Sequence, residues 1–295
     1  MRKLVDKSIV KDFKLRIVVE NTVYQSKLLS EHGLSVLLNG HLENGYEFNI
    51  LFDTGQTGKP LIHNLKELKI LHKNIDAIIL SHGHYDHTGG IELFLKNYNK
   101  NIKIYCHPDV FQKKYSEKRG KLRDIGMPFD RTLLENSGAN FITSKSPVKI
   151  FDGIYTSGEI SRVTSFEKVP DRFKKLENGN LVKDDIVDDL ALIIRTEDGI
   201  IILTGCAHSG VVNTLYHTSK LFKNEKILGV IGGFHLMGAS NVRIEETIKH
   251  LKKFNLNIIG PCHCTGMFAI SRIIPNFLEQ YRECSTGMEL LFDII

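Results

Sequence analysis

Three histidines and an aspartate fall within six positions of the stretch SHGHYDHTGG: His82, His84, Asp86 and His87. Neutral imidazole is a ligand for zinc, iron and manganese, and carboxylate suits the harder of these ions. Two histidines one residue apart, on a loop leaving a strand, can meet one ion. Asp86 and His87, one turn further, can face a second ion beside it. Two ions so placed can lower the pKa of a bound water and bind both charged oxygens of a phosphate or carboxylate. Such a centre needs further ligands from elsewhere in the chain.

Several of the thirteen histidines are suitably placed, because they directly follow apolar, strand-like runs. His82, His84 and His87 follow DAIILS, His208 follows GIIILTGCA, His235 follows KILGVIGGF and His263 follows NLNIIGPC. Strand ends collect polar site groups in α/β proteins, since the strands hold loop residues rigidly at a cleft. His208 and His263 are the expected additional ligands. His235 is either a ligand, a group behind the ligands, or simply buried. His107, in CHPD, also follows a strand, but the proline after it marks a helix start, and a structural rather than a ligand role is expected there.

The elements that position these residues can be read from periodicity. KLRIVVE, LSVLLNG and EFNILFD read as strands, and KPLIHNLKELKI shows apolar residues at helical spacing. DAIILS is a strand, Gly90 to Tyr98 a helix with Thr88 as its N-cap, and NIKIYC a further strand. DLALIIRTEDGIIILTG reads as a hairpin. After it come helix VVNTLYHTSKLF, strand KILGVIGG, helix NVRIEETIKHLKKF, strand LNIIGP, helix GMFAISRIIPNFLEQ and strand MELLFDI. Each half opens with antiparallel strands and continues with strand–helix alternation. That pattern predicts an α/β fold of two packed sheets with helices outside, an αββα sandwich. Residues 1–295 are expected to form one such domain. The stretch at about 110–185, rich in Lys, Arg, Glu and Gly, is expected to be an insertion or cap in which KIFDGIYTSGEI forms a hairpin.

The bulk numbers exclude several classes. The chain has 295 residues, 42% hydrophobic and 25% charged, which is ordinary globular composition. A net charge of +5 is compatible with an anionic small substrate and is no nucleic-acid footprint. No apolar run reaches the roughly 20 residues of a membrane span, and the N-terminus lacks the apolar core of a signal peptide. Five cysteines, an odd and sparse set, do not suggest a disulfide framework, so a cytoplasmic location is expected.

His-x-His-x-Asp-His after an apolar strand, with LFDTG upstream, resembles the metallo-β-lactamase superfamily. The resemblance implies the αββα sandwich and assigns His82, His84, Asp86 and His87 as metal ligands. It makes Asp53 the residue that orders the metal loop from behind and His263 the last-motif histidine. It also implies one or two divalent ions, zinc first, with manganese, iron and magnesium as alternatives.

The chain departs from the common pattern in its second half. The late hairpin opens on Asp188-Asp189-Leu190 without the usual histidine, and it closes on Thr204-Gly205-Cys206, with cysteine in place of a bridging aspartate. His208 is then expected to replace the missing ligand, and Cys206 either ligates as thiolate or packs. HGHYDHTGG, GEISR with Phe166-Glu167, DDLAL, TGCAHSG, GGFHL and PCHCTG together resemble one branch, that of the dihydropterin-methyl-ribofuranosylaminobenzene phosphate synthases. The resemblance runs from about Val18 to Leu291, although GEISR lacks an expected proline before the arginine.

Three functions follow as expectations. One is a metal-dependent transferase in which an arylamine attacks a pterin methylene and diphosphate leaves. Arg119, Arg123, Arg131, Arg162 and Lys168 are candidate phosphate ligands for it, Arg162 first among them. The second is a metal-dependent hydrolase of a phosphodiester, thioester or lactone, with Asp86 or a histidine handling the proton. The third is an iron-binding redox protein, for which Cys206, Cys262 and Cys264 are available but not at familiar iron–sulfur spacing.

Overall fold

The computed structural model describes residues 8–70, 75–98 and 101–292. The reading of the first seven residues, and the last two of the predicted strand MELLFDI, lie outside these. Among the described residues no helix is long and apolar enough to cross a membrane.

Two sheets carry the fold. The first has seven strands in the order Glu289–Phe292, Val10–Val19, Ser35–Leu42, Glu47–Phe52, Ala77–Ile79, Ile102–Cys106 and Ala139–Thr143. The second has six, in the order Ile258–Cys262, Ile227–Gly233, Ile200–Thr204, Ala191–Arg195, Ile154–Thr156 and Lys149–Phe151. In each, antiparallel pairs come earlier in the chain and parallel ones later, because helices cross over between the later strands. The C-terminal strand returns to the first sheet, pairing Leu290 with Leu15.

Period-two alternation sorts the side chains into layers. Ile17, Leu38, Ile50 and Ile79 face the second sheet and pack with Leu192, Ile194, Leu203 and Ile231. Their neighbours Val18, Leu37, Leu51 and Ile78 face outward onto Leu61, Leu65, Phe94 and Leu95 of the helices Lys59–Glu67 and Ile91–Asn97. On the far side, Ile193, Ile202 and Val230 pack under Val212, Leu215, Ile244, Ile248 and Ala269. These last residues come from the helices Val211–Leu221, Asn241–Lys252 and Met267–Ile273. Sheets covered on both faces need unbroken apolar strands, which is why AII, IIILT and ILGVIGG show no polar alternation. The result is the expected αββα sandwich.

Three local expectations need correction. The stretch 110–185 does not form one insertion. Ala139–Thr143 belongs to the first sheet, and the hairpin Lys149–Phe151/Ile154–Thr156 edges the second. What remains is a separate four-stranded sheet in the order Asn180–Lys183, Phe173–Glu177, Lys114–Lys118 and Lys121–Asp124. Thr88 is not the cap of the helix Ile91–Asn97. It ends the short helix Tyr85–Thr88, and its hydroxyl donates to the His84 carbonyl at 2.9 Å. The last helix stops at Ile273 and passes into the 3₁₀ turn Ile274–Asn276, since Pro275 cannot continue an α-helix.

Candidate metal centre

The loop Ser81–His84 leaves the end of the strand Ala77–Ile79, and the helix Tyr85–Thr88 then turns Asp86 and His87 back toward it. Glycine is required between the two leading histidines, because a Cβ on Gly83 would lie 2.3 Å from the Val110 carbonyl oxygen. His208 arrives from the end of Ile200–Thr204 and His263 from the end of Ile258–Cys262. All five of these histidine and aspartate groups beyond His82 are at least nine-tenths buried, and His82 itself is fully so.

They form two sets. In the first, His82 Nε2 lies 3.0 Å from His84 Nδ1, and His208 Nε2 lies 3.1 Å from that same nitrogen. Three ring nitrogens around a tetrahedral zinc would be roughly 3.3 Å apart, given Zn–N bonds near 2.0–2.1 Å. In the second, His87 Nε2 lies 3.2 Å from His263 Nε2 and 3.2 Å from Cys206 Sγ. Asp86 Oδ2 lies 3.5 Å from His263 Nε2 and 3.8 Å from His87 Nε2.

The tautomers are fixed from behind. Asp53 is fully buried and accepts hydrogen bonds from the Ser81 amide, the Ser81 hydroxyl and His87 Nδ1, each at 2.7 Å. Ser81 Oγ, having donated to Asp53, accepts from His82 Nδ1 at 2.9 Å. His263 Nδ1 donates to Asn21 Oδ1 at 3.0 Å. In each case Nδ1 is engaged by the outer partner and Nε2 is turned inward, the orientation a metal ligand requires. His84 Nε2 and His208 Nδ1, the nitrogens turned away from the first set, are buried without a hydrogen-bond partner.

Protonation distinguishes the two sets. Burial holds His82 and His208 well below the usual histidine range and pushes His84 down to about 3, so the first set is neutral. Burial also opposes charge on His87, but the carboxylates of Asp53 and Asp86 lift it to about 9, so His87 would give up a proton on binding a cation. Asp86 is kept ionised despite its burial by His87, His263 and His32. The donor set, three neutral imidazoles beside a carboxylate, two imidazoles and a thiol, fits one or two divalent ions.

A pocket of about 710 Å³ opens over the centre, and His84, Asp86, Cys206, His208 and His235 reach its wall. The four-stranded sheet forms the opposite wall. Cross-strand pairing of Ser116 with Arg123 and Phe173, and of Lys118 with Lys121, puts these side chains on one face, toward the pocket. Arg119 at the hairpin tip and Arg172 complete a wall of five cations. Arg123 lies 5.1 Å over the Tyr85 ring and donates to its hydroxyl, and Arg172 lies 4.8 Å over Phe173.

Among the residues singled out in sequence, Arg162 is corrected. Its guanidinium donates to the carbonyls of Asp185 and Ile186 and to Ser209 Oγ, and it does not line the pocket. Arg131 pairs with Glu135 and lies over Phe111 and Phe141, away from the site. Arg119 and Arg123 line the pocket. His107 caps the 3₁₀ helix Pro108–Phe111 by accepting from the Asp109 amide, a structural role, as expected. Glu167, of the Phe166-Glu167 pair, caps the helix Val211–Leu221 by accepting from the Val212 and Asn213 amides.

Three groups had no sequence signal. His32 follows no strand, yet its Nε2 lies 3.3 Å from Asp86 Oδ2. Cys264, marked in sequence only as an available thiol, joins Cys206 and His263 within 4.8 Å. Lys121 and Arg172 sit in a segment whose charges looked uniform.

Comparison with known proteins identifies the family. The model of the family described as the metallo-beta-lactamase superfamily matches residues 42–215. A protein of Methanocaldococcus jannaschii named 7,8-dihydropterin-6-methyl-4-(beta-D-ribofuranosyl)-aminobenzene-5'-phosphate synthase is 39% identical over 275 residues, covering 91% of this chain and 92% of its own. The crystal structure of Tm1679, a metal-dependent hydrolase of the beta-lactamase superfamily, matches with TM-score 0.80 and 28% identity, covering 96% of this chain and all of its own. Zn(2+)-bound PqqB from Methylobacterium extorquens is similar in fold alone, with TM-score 0.54, 11% identity, and coverage of 94% and 99%. The chain belongs to the metallo-β-lactamase superfamily and is an enzyme of that fold.

Proposed function

We propose that this enzyme acts on an anionic, phosphorylated small molecule at a centre of two divalent ions, zinc first. One would be held by His82, His84 and His208, the other by Asp86, His87 and His263 with Cys206 beside them. The observation that carries the substrate class is the wall of Lys118, Arg119, Lys121, Arg123 and Arg172 facing the histidine sets across the pocket. Five cations on one side of a cleft would be mutually repulsive without an anion to accept them. Guanidinium groups also match phosphate geometry.

The relative's name supports a transferase. An arylamine nitrogen would form a bond to a pterin methylene carbon while the carbon–oxygen bond to diphosphate breaks, its electron pair leaving with the oxygen. Bound ions would supply Lewis acidity toward charge on that departing oxygen. Arg123, Arg172 and Lys118 would hold the phosphate oxygens and orient the leaving group. His32, half-exposed and hydrogen-bonded to Asp86, is placed to take the proton the arylamine loses. Phe173 packs against His84 and His208 and keeps that side of the pocket apolar. Hydrolysis, with water in place of the arylamine, uses the same residues and is the second reading, supported by the likeness to Tm1679.

The test supplies a pterin-methyl diphosphate with and without an arylamine and measures diphosphate release. Release only with the arylamine present supports the transferase, and equal release without it supports the hydrolase. Elemental analysis of untagged wild type, His84→Ala and His263→Ala accompanies it. Protein that carries no divalent metal and takes none up on reconstitution would sink both readings.

A further inference from the structure

A third group of donors remains once the two histidine sets are counted. Cys206 Sγ, a ring nitrogen of His208 and one of His235 lie within 4.8 Å of one another, and so do Cys206 Sγ, a nitrogen of His263 and Cys264 Sγ. Both ring nitrogens of His235 are buried without a hydrogen-bond partner, although its ring lies 4.2 Å from that of His208. An imidazole with both nitrogens unsatisfied is costly. His235 also sits at φ 47°, a left-handed conformation that a non-glycine residue adopts at an energetic cost. The backbone makes room for the sulfur as well: a Cβ on Gly233 would come 2.6 Å from Cys264 Sγ.

From this geometry we propose that Cys206, His235 and Cys264 form a further, sulfur-bearing cation subsite on the pocket wall. It would take a thiophilic ion such as zinc, cadmium or cuprous copper. Bonds near 2.3 Å to sulfur and 2.0–2.1 Å to nitrogen separate tetrahedral ligand atoms by roughly 3.3–3.8 Å; Cys206 Sγ lies within 4.8 Å of a ring nitrogen of His235 and of Cys264 Sγ, so the side chains would draw together around an ion. Two thiolates and an imidazole make a softer set than either histidine set and shift the preference toward thiophilic ions. Cys206, 3.2 Å from His87 Nε2, stands between this subsite and the second histidine set. All three donors line the pocket, so an ion can reach them from solvent. The subsite rests on the reading that the cavity holds metal, but it fails separately from it.

The test saturates the full-length protein with cadmium, removes the excess, and measures bound metal together with the ultraviolet thiolate-to-cadmium charge-transfer band. Wild type is expected to hold one equivalent more than Cys264→Ser or His235→Gln. Both variants should lose part of the band while keeping the metal of the histidine sets. Circular dichroism checks the fold, and His235→Gln decides if Cys264→Ser does not fold. Unchanged stoichiometry and an unchanged band in the folded variants overturn the subsite, as does a band that only Cys206→Ser removes. Wild type that binds cadmium without any thiolate band overturns the subsite alone. Wild type that binds no cadmium overturns the histidine centre as well.

Discussion

Asp53 shows how one residue can govern a site it never enters. It takes three hydrogen bonds while fully buried, and it occupies a left-handed backbone position at φ 59°. That conformation persists because the hydrogen bonds over-determine it. Through His87 directly, and through Ser81 to His82, it sets which nitrogen of each ring faces inward. Asp53→Asn keeps the shape but replaces one acceptor oxygen with a donor, so it cannot serve both Ser81 and His87. Metal affinity is expected to fall about 10–100-fold with the fold intact, measured by competition with a chromophoric chelator. Unchanged affinity would show that the rings orient themselves. Asp53 was legible because its motif lies beside a strand and resembles a known pattern. The histidines were legible because their spacing and their strand-end positions are local properties. His32 was not, since only the folded chain brings it to Asp86.

The accessory sheet is joined to the metal loop by a buried ionic relay. Lys114 is 1% exposed, and its ammonium donates to Asp188 at 2.8 Å and Asp184 at 3.1 Å. The other Asp188 oxygen accepts from the Gly83 amide at 2.8 Å, between the two leading histidines. Lys114→Met leaves two buried carboxylates unpaired and is expected to cost about 3–5 kcal/mol in a denaturant titration. The sign with pH follows from both partners. Burial raises the Asp188 pKa, but Lys114 more than offsets this and holds it below its ordinary value. Its contribution is therefore present above about pH 4 and lost as pH falls through the lowered folded value. Burial lowers the Lys114 pKa, but Asp188 and Asp184 raise it overall. Its contribution is present below about pH 10.4 and lost as pH rises through the raised folded value. The gap between wild type and variant should be flat near neutrality and narrow at both extremes. A gap independent of pH would mean that Lys114 acts through packing alone. A second element depends on Glu167, because the helix Val211–Leu221 begins at Gly210 and has no side-chain cap of its own. Glu167→Ala is expected to cost about 0.5–2 kcal/mol, read as a lowered thermal midpoint, and an unchanged midpoint would show that water replaces the cap. Neither tie could be read from sequence. Lys114 looked like one more charge in a basic stretch, and DDLAL gave no sign of a partner 74 residues upstream.

At the scale of the whole molecule, a net charge of only +5 conceals an uneven distribution. The layered sandwich was legible from apolar runs and their alternation with helices. The small sheet was not, because Lys114–Lys118 and Phe173–Glu177 pair across more than fifty residues that belong partly to the main sheets. Its placement turns an ordinary basic composition into one cationic wall over the candidate metal centre. Arg123 and Arg172 are proposed to grip phosphate oxygens other than the one at the breaking bond, so they should hold substrate about equally in the ground and transition states. Removing such contacts raises KM and leaves kcat in place. A hydrogen bond to a charged group is worth about 1.5–3 kcal/mol, so Arg123→Ala and Arg172→Ala should each raise KM roughly 10–100-fold for a phosphorylated substrate. Added salt should weaken wild type more than the double variant, because screening acts on the same charges that the substitutions delete. A fall in kcat at constant KM would place these arginines on the breaking bond instead. Equal KM values in wild type and variants would remove the basic wall as evidence for a phosphorylated substrate, and lactones or thioesters without phosphate would become the compounds to assay.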